Sequence, residues 1–315
     1  MKSAVRKIVR VGKKSYAVVI PKKWLNFLRA HPGEPAYIVM NDDGTITIAP
    51  LKTTESAPAR VTAHTALSTL SADSRSITKV VLALYSAGLS SLIVEAGIRW
   101  DAVSIPQELA RVEQLEGRAL ISFRELRADP REVLENMVRK VRDAFRLFYE
   151  NLERFSPEIW EEIHRLEGEL DVMVHLVLRL AIRKLVAETL RRGLESDTLV
   201  RSILDVSVAK LLEDLSDCVD RSVHRIKEYS TISRDYRNLF IKVSDLSDDV
   251  MMCYLHRCSI DDVILNLNKA SKLREELKEL MSVSASPLQT LLSEIEVALT
   301  LVEDLLEATL VLAYG

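Results

Sequence analysis

From Asp129 onward apolar residues return every three or four positions, and the three prolines of this region, Pro130, Pro157 and Pro287, stand where a helix can begin. That pattern leaves little room for anything but long amphipathic helices. Asp129-Pro130 reads as an N-cap with a first-turn proline, and Val133, Val141, Ala144, Leu147 and Phe148 line one face of the helix it opens. Ser156-Pro157-Glu158 opens the next. Its stripe runs Ile159, Ile163, Leu166, Leu170, Met173, Val177 and Leu180, with Gly193 placed to close it. A third helix carries Leu212, Leu215, Val219, Val223 and Ile226, and three more are expected over 234–257, 260–282 and 286–313. Six helices joined by short connections predict an all-α region over 128–315, built as up-and-down bundles. Nine glycines and nine prolines in 315 residues, with aromatics at 5%, suit helices packed through aliphatic seams.

The first fifty residues follow a different rule. Val5–Val11 and Ser15–Ile20 alternate as strands around a Gly12-Lys13-Lys14 turn, and Pro21 opens a short helix over 22–28. Ala36–Met40 and Thr45–Ala49 are two further strands joined by Asn41-Asp42-Asp43-Gly44. The charged residues from Met1 to Arg29 are Lys2, Arg6, Lys7, Arg10, Lys13, Lys14, Lys22, Lys23 and Arg29, and no acid precedes Glu34, although the whole chain carries −3. A basic head on an acidic body points to nucleic-acid binding by the head. Arg6 and Arg10 are expected on one strand face with Lys13 and Lys14 at the turn, while Lys7, Lys22 and Lys23 make outer phosphate contacts. Four short strands and one helical turn bury too little surface to stand alone, so a homodimer sharing one core is expected. Thr53–Thr62 reads as a linker. Residues 63–127 read as a small α/β connector, with helices over 76–87 and 106–115 and strands over 90–95 and 119–124.

Several function classes are disfavoured. The three cysteines, Cys218, Cys253 and Cys258, are odd in number and fit no CxxC pattern, so neither a disulfide nor a thiolate zinc site is expected and a reducing cytoplasm is the default. The most apolar stretches carry charged residues, so no membrane insertion is expected. The chain lacks a phosphate loop, a GxGxxG turn, a GxSxG elbow and an HExxH pair, and it is expected not to be an enzyme.

Two polar strips run beside the apolar seams. His164, Glu167, Asp171 and His175 step by three, four and four on one helix, and Glu213, Asp217, Asp220 and His224 step by four, three and four on the next. If the helices run antiparallel the strips can face one another, the arrangement by which bundles hold iron, zinc, manganese or magnesium. The expected metal ligands are Glu167, Asp171, Glu213, Asp217 and Asp220. The same spacing also arises on solvated acidic helices.

Arg6 to Trp24, with Pro32-Gly33-Glu34 and Asp42-Asp43-Gly44, resembles the SpoVT/AbrB swapped-hairpin domain, the pattern falling on Arg10, Gly12, Ser15, Val18, Ile20, Pro21, Lys22 and Trp24. That resemblance implies a dimeric, interleaved β-barrel over 1–52 that binds double-stranded promoter DNA. MazE-type antitoxins share the fold. The rest resembles the PhoU family. Glu167-Gly168-Glu169-Leu170-Asp171 with the aliphatic run from Met173, and Leu212-Glu213-Asp214-Leu215-Ser216-Asp217, resemble its two ExxxD metal-motif helices. Asp214 and Cys218 depart from the family's arginine and histidine, and the last three helices show no clear acid pair. The resemblance implies two three-helix bundles, carboxylate-bound metal, and regulation of phosphate uptake. Its partners would be a phosphate ABC transporter or another regulatory protein such as a sensor kinase. The expectation is therefore a cytoplasmic, DNA-binding phosphate regulator with a metal-binding sensor. Its rivals are an interaction protein whose head only dimerises, and an antitoxin.

Overall fold

The chain divides into two units, Met1–Ala59 with Glu188–Gly193, and Arg60–Ala187 with Leu194–Gly315. The computed structural model describes residues 5–27, 31–34, 36–40, 46–50, 62–65, 74–95, 105–115, 118–124, 128–152, 156–192, 196–226, 234–284 and 286–314.

In the first unit β1 (Ile8–Val11) and β2 (Ser15–Val18) pair antiparallel with Ile8 opposite Val18 and Arg10 opposite Tyr16. Gly12 supplies the left-handed φ of +73° that lets a three-residue loop close this hairpin. Helix α1 (Lys22–Phe27) follows Pro21, whose carbonyl accepts the Trp24 N–H at 2.8 Å. A second antiparallel hairpin joins β3 (Ala36–Met40) to β4 (Ile46–Pro50). The loop expected at Asn41–Gly44 lies outside the described residues. Both hairpins leave apolar side chains uncovered: Ile8, Val11, Tyr16, Val18, Val19, Ile38 and Ile46 are all exposed.

The second unit begins with a four-stranded sheet and one helix: β5 (Thr62–Thr65), α2 (Ser74–Ser86), β6 (Ser91–Glu95), β7 (Ala110–Leu115) and β8 (Arg118–Phe123). The sheet order is β5-β6-β8-β7, with β5 parallel to β6 and the remaining pairs antiparallel. Ile77, Val81 and Tyr85 of α2 share a core with Leu92, Ala119, Ile121 and Phe123 of the sheet. Two expectations fail in this region. Residues 110–115, expected within a helix, form β7, because pairing with β8 outweighs the intrinsic helix propensity of Ala, Arg, Glu, Gln and Leu, which amounts to only about tenths of a kcal/mol per residue. Thr62–Thr65, at the expected end of the linker, forms β5.

Six helices follow, all in this unit except the end of α4 from Glu188: α3 (Pro130–Asn151), α4 (Pro157–Arg192), α5 (Ser196–Ile226), α6 (Arg234–His256), α7 (Ile260–Val283) and α8 (Ser286–Tyr314). The starts of α3 and α4 and the bounds of α6, α7 and α8 lie within a residue or two of those read from the sequence, α5 extends well before the Leu212 at which its stripe was read, and Gly193 lies outside the described residues. Asp129 caps α3 by accepting the Arg131 N–H at 2.8 Å, and Ser259 with Asp262 forms a reciprocal capping box on α7. All six helices contribute to one continuous core that includes Met137, Ile163, Leu212, Val243, Leu277 and Leu299. Among the described residues no helix is long and apolar enough to cross a membrane.

Helix α4 serves two cores. Its Ile163, Leu166, Leu170 and Val177 enter the helical core, while Val172 and Leu176 pack against the sheet's core. Between the two, the buried guanidinium of Arg179 lies 4.5 Å over the Tyr85 ring and donates to the carbonyls of Tyr85 and Leu89. The Tyr85 carbonyl belongs to the last turn of α2 and that of Leu89 to the cap just after it, closed by Gly88 at φ +88° and by the Gly88 and Leu89 N–H groups bonding back to Tyr85 and Leu84.

The cysteines correct a third expectation. Arg257, at φ +55°, turns the chain at the end of α6 and brings Cys258 back over Cys253, their Cα atoms 4.8 Å apart and joined by a disulfide. Cys218 is free and buried. The unfolded, unreduced protein is therefore expected to titrate one thiol, rising to three after reduction. Replacing Arg179 with Ala is expected to destabilise the second unit by about 2–4 kcal/mol in chemical denaturation, through loss of charged hydrogen bonds in a buried site.

Candidate metal centre and basic hairpin

Because α5 gives its Leu212, Leu215, Val219 and Val223 to the core, the residues stepping beside them form a second stripe, Glu213, Asp217 and Asp220. On α4 the same logic sets Glu167 and Asp171 beside Ile163, Leu166 and Leu170. The two stripes meet. Glu167 feels the charges of Asp217, Asp220 and Glu213, and Asp171 shares a hydrogen bond with Glu213. The carboxylates of the two strips therefore act on one another across α4 and α5.

Burial is deepest at Glu213 and Asp220, whose side chains are 11% and 14% exposed, and Glu167 is 20% exposed. Burial first, and negative neighbours second, push the carboxyls of Glu167 and Asp217 above the usual range. Glu213 is raised by burial and then by its hydrogen bond with Asp171. Asp171 keeps an exposed edge, yet desolvation raises it too, and the charges of Glu167 and Asp217 add to this against the opposing hydrogen bond from Glu213. Such uniform upward shifts describe a site short of positive charge.

Two cations answer part of it. Lys210 Nζ forms ion pairs with Glu213 and, at 2.9 Å, with Asp214. Arg221 reaches Asp217 at 3.4 Å but is drawn also to the buried Glu294 of α8, at 3.0 Å, which Arg225 holds at 2.7 Å. Glu213, Asp214 and Asp217 each offer an oxygen within 4.8 Å of the others, a group able to hold a metal ion. Asp214 is absent from the strips read in the sequence, because it is adjacent to Glu213 and so falls off the three-and-four stepping. Its i,i+3 relation to Asp217 is the signal that could have found it.

The histidines divide. His164 Nδ1 lies 3.5 Å from Asp220 and 3.7 Å from Glu167, and His224 Nε2 lies 3.8 Å from Asp220. His175 leaves the strip: its Nδ1 is 2.8 Å from Ser86 Oγ, whose hydroxyl bonds to the Leu82 carbonyl at 3.0 Å, and burial lowers its pKa.

The tetrapeptide Asp-Leu-Ser-Asp of 214–217 recurs at 245–248 on α6. There Asp248 pairs with Arg142 of α3 at 2.6 Å, in a groove lined also by Arg139 and Arg146, and Asp249 pairs with Lys269 at 2.7 Å. Arginine neutralises the second copy, whereas the first faces more acid.

In the first unit Arg6, Lys7, Arg10, Lys13, Lys14, Lys22 and Lys23 are all exposed, and among the described residues none forms an ion pair with a carboxylate. Arg10 folds over its own turn, donating to the carbonyls of Gly12 at 3.2 Å and Lys13 at 3.1 Å. Arg6 precedes the strand, which starts at Ile8, and bonds to the Val5 carbonyl, so the shared strand face expected for Arg6 and Arg10 is not formed. Lys22 and Lys23 open α1.

No protein-family model matches the chain, and no curated protein resembles it at a significant level.

Carboxyls raised in the folded state bind protons more tightly than in the unfolded chain. In the cation-free protein their contribution is therefore full below the ordinary carboxylate range, about pH 4, and is lost as pH rises through the raised values. Thermal unfolding in chelator from pH 5 to pH 8 is expected to show this loss. Asp171→Asn and Glu213→Gln should each flatten the profile and raise the melting temperature at pH 8 above that of the parent protein.

Proposed function

We propose that the protein is a dimeric DNA-binding transcriptional regulator of phosphate uptake, whose helical domain senses through bound metal. The observation that carries this reading is the group Glu213, Asp214 and Asp217 on α5, each with an oxygen within 4.8 Å of the others, whose charge also acts on Glu167 and Asp171 of α4. Carboxylate-only donors suit hard divalent cations such as magnesium, manganese or iron. A cation there would relieve the repulsion, and a metal would supply a Lewis-acidic point to which an anion such as phosphate can bind. Phosphate as the signal follows from the resemblance of the two acid motifs to the PhoU family.

Support for the head comes from its uncompensated positive charge and its uncovered apolar residues. Ile8, Tyr16, Val19, Ile38 and Ile46 are each more than 60% exposed, a surface that a second copy of the hairpins would cover in the swapped-hairpin barrel. Arg6, Lys7, Arg10, Lys13, Lys14, Lys22 and Lys23 would then meet DNA phosphates from both protomers. A metal that prefers one arrangement of the dimer shifts the population toward it and so alters the fit to operator half-sites. The same uncovered residues favour a second reading, in which the head only dimerises and the helical domain docks on a phosphate transporter or sensor kinase.

Binding to the DNA upstream of its own gene and of phosphate-transport genes, measured across a salt series, separates these readings. The parent protein is expected to bind with a steep salt dependence. Arg6→Ala/Arg10→Ala should make that slope shallower by about 0.9 for every phosphate the two arginines no longer neutralise. Metal-loaded and chelated protein should differ in affinity at fixed salt. Absence of DNA binding at low salt under both conditions would leave the docking reading.

A further inference from the structure

The groove between α3 and α6 shares no residue with the acidic face of α4 and α5. Its volume is about 570 Å³, within the range of about 300–1,000 Å³ that small-ligand sites occupy. The buried Phe145 and Met251 give it an apolar floor, with Ile241 beside them. Arg139, Arg142 and Arg146 line it from α3, and Asp245 and Asp248 from α6.

These charges are balanced in number but not in pairing. Asp143 of α3 takes Arg146 at 2.9 Å, and Asp248 takes Arg142 Nε at 2.6 Å. Arg139 and Asp245 remain. Both are exposed, and among the described residues neither forms an ion pair or a hydrogen bond. A simple anion finds no surplus of positive charge in such a groove, and a simple cation no surplus of negative charge. A ligand carrying one charge of each sign satisfies both free groups.

The two free charges are also offset by a definite length. Tyr149, late in α3, has the guanidinium of Arg237, early in α6, 5.2 Å over its ring, while Arg142 meets Asp248, so the two helices run antiparallel. Arg139 lies three residues before Arg142, and Asp245 three before Asp248. In antiparallel helices these steps run in opposite directions and add up to about 9 Å along the groove, at a rise of about 1.5 Å per residue. An extended chain spans about 3.3–3.6 Å per residue, so three residues reach about 10 Å.

We infer that the α3–α6 groove is a binding site for a short extended peptide with free ends, about three residues long. Its terminal carboxylate meets the fork of Arg139, and its ammonium meets Asp245. The Nη groups of Arg142, which make no hydrogen bond among the described residues, donate to a peptide carbonyl midway. The central side chain rests on Phe145 and on the flexible thioether of Met251, which adapts to apolar groups of different shape. This site goes beyond the proposed DNA and metal regulation and does not depend on it.

The test is calorimetric titration of the full chain with alanyl-leucyl-alanine, its C-terminal amide and its N-acetyl form. The parent protein is expected to bind the free tripeptide, and capping either end should weaken binding about fivefold, the upper end for an exposed ion pair. Arg139→Gln should weaken the free tripeptide by the same factor and no longer distinguish acid from amide. Asp245→Asn should likewise no longer distinguish the free amine from its acetylated form. Both side chains are exposed, so neither variant disturbs the fold. Failure of the parent protein to bind the tripeptide at millimolar concentration overturns the site. Equal binding of capped and free peptides, or variants that still discriminate between them, overturns it too. Binding of acetate or inorganic phosphate as tight as that of the tripeptide would do the same, reducing the groove to a simple anion site.

Discussion

Repulsion between α4 and α5 is the stress that the second unit is built around. Two unit charges about 5 Å apart at an effective dielectric constant of about 20 repel by about 3 kcal/mol. On α5 the oxygens of Glu213, Asp214 and Asp217 lie within 4.8 Å of one another, while their charge also acts on Glu167 and Asp171 of α4. The opposing force is the apolar seam directly beside it. Leu166, Leu170, Leu212, Leu215 and Val219 are buried to within a few per cent, and each contributes on the order of 1.5–3 kcal/mol. Seam and strip alternate on the same helices, so the residues that hold α4 against α5 are also those that aim the carboxylates at one another. The Glu294 clasp fixes the rotation of α5 from the far side by gripping Arg221 and Arg225. It also keeps Arg221 at the edge of the acidic face, where it reaches only Asp217.

Much of this was legible in the sequence because both signals have the same period. Apolar residues at three-and-four spacing located all six helices, and acids at the same spacing located Glu213 and Asp217 of the close group and the Glu167 and Asp171 that face it, but not Asp214. The failures share a cause as well. Residues 110–115 carry helix-forming side chains, and only the partner strand β8 makes them extended. Cys253 and Cys258 lie five residues apart, and the left-handed Arg257 between them is a conformation that sequence spacing does not announce. His175 sits in register with its strip but is captured by Ser86, 89 positions earlier in the chain, through a contact that only the tertiary structure creates.

The repeated Asp-Leu-Ser-Asp shows why a motif alone decides so little. On α5 it meets Glu167 and Asp171 and becomes part of a site that lacks positive charge. On α6 the same four residues face α3, where Arg142 supplies a partner for Asp248 and Arg139 and Arg146 line the adjoining groove. The chemistry of each copy is set by the helix opposite it.

The clamp of Arg179 on α2 has a consequence for how the protein is assembled. The last carbonyls of α2 are completed by a side chain 90 or more positions away, and the sheet's core is closed by Val172 and Leu176 of α4. The small sheet and its helix, made before α4, therefore cannot reach their final state until α4 has been synthesised. The connector and the helices are thereby tied into a single compact unit despite their different architectures.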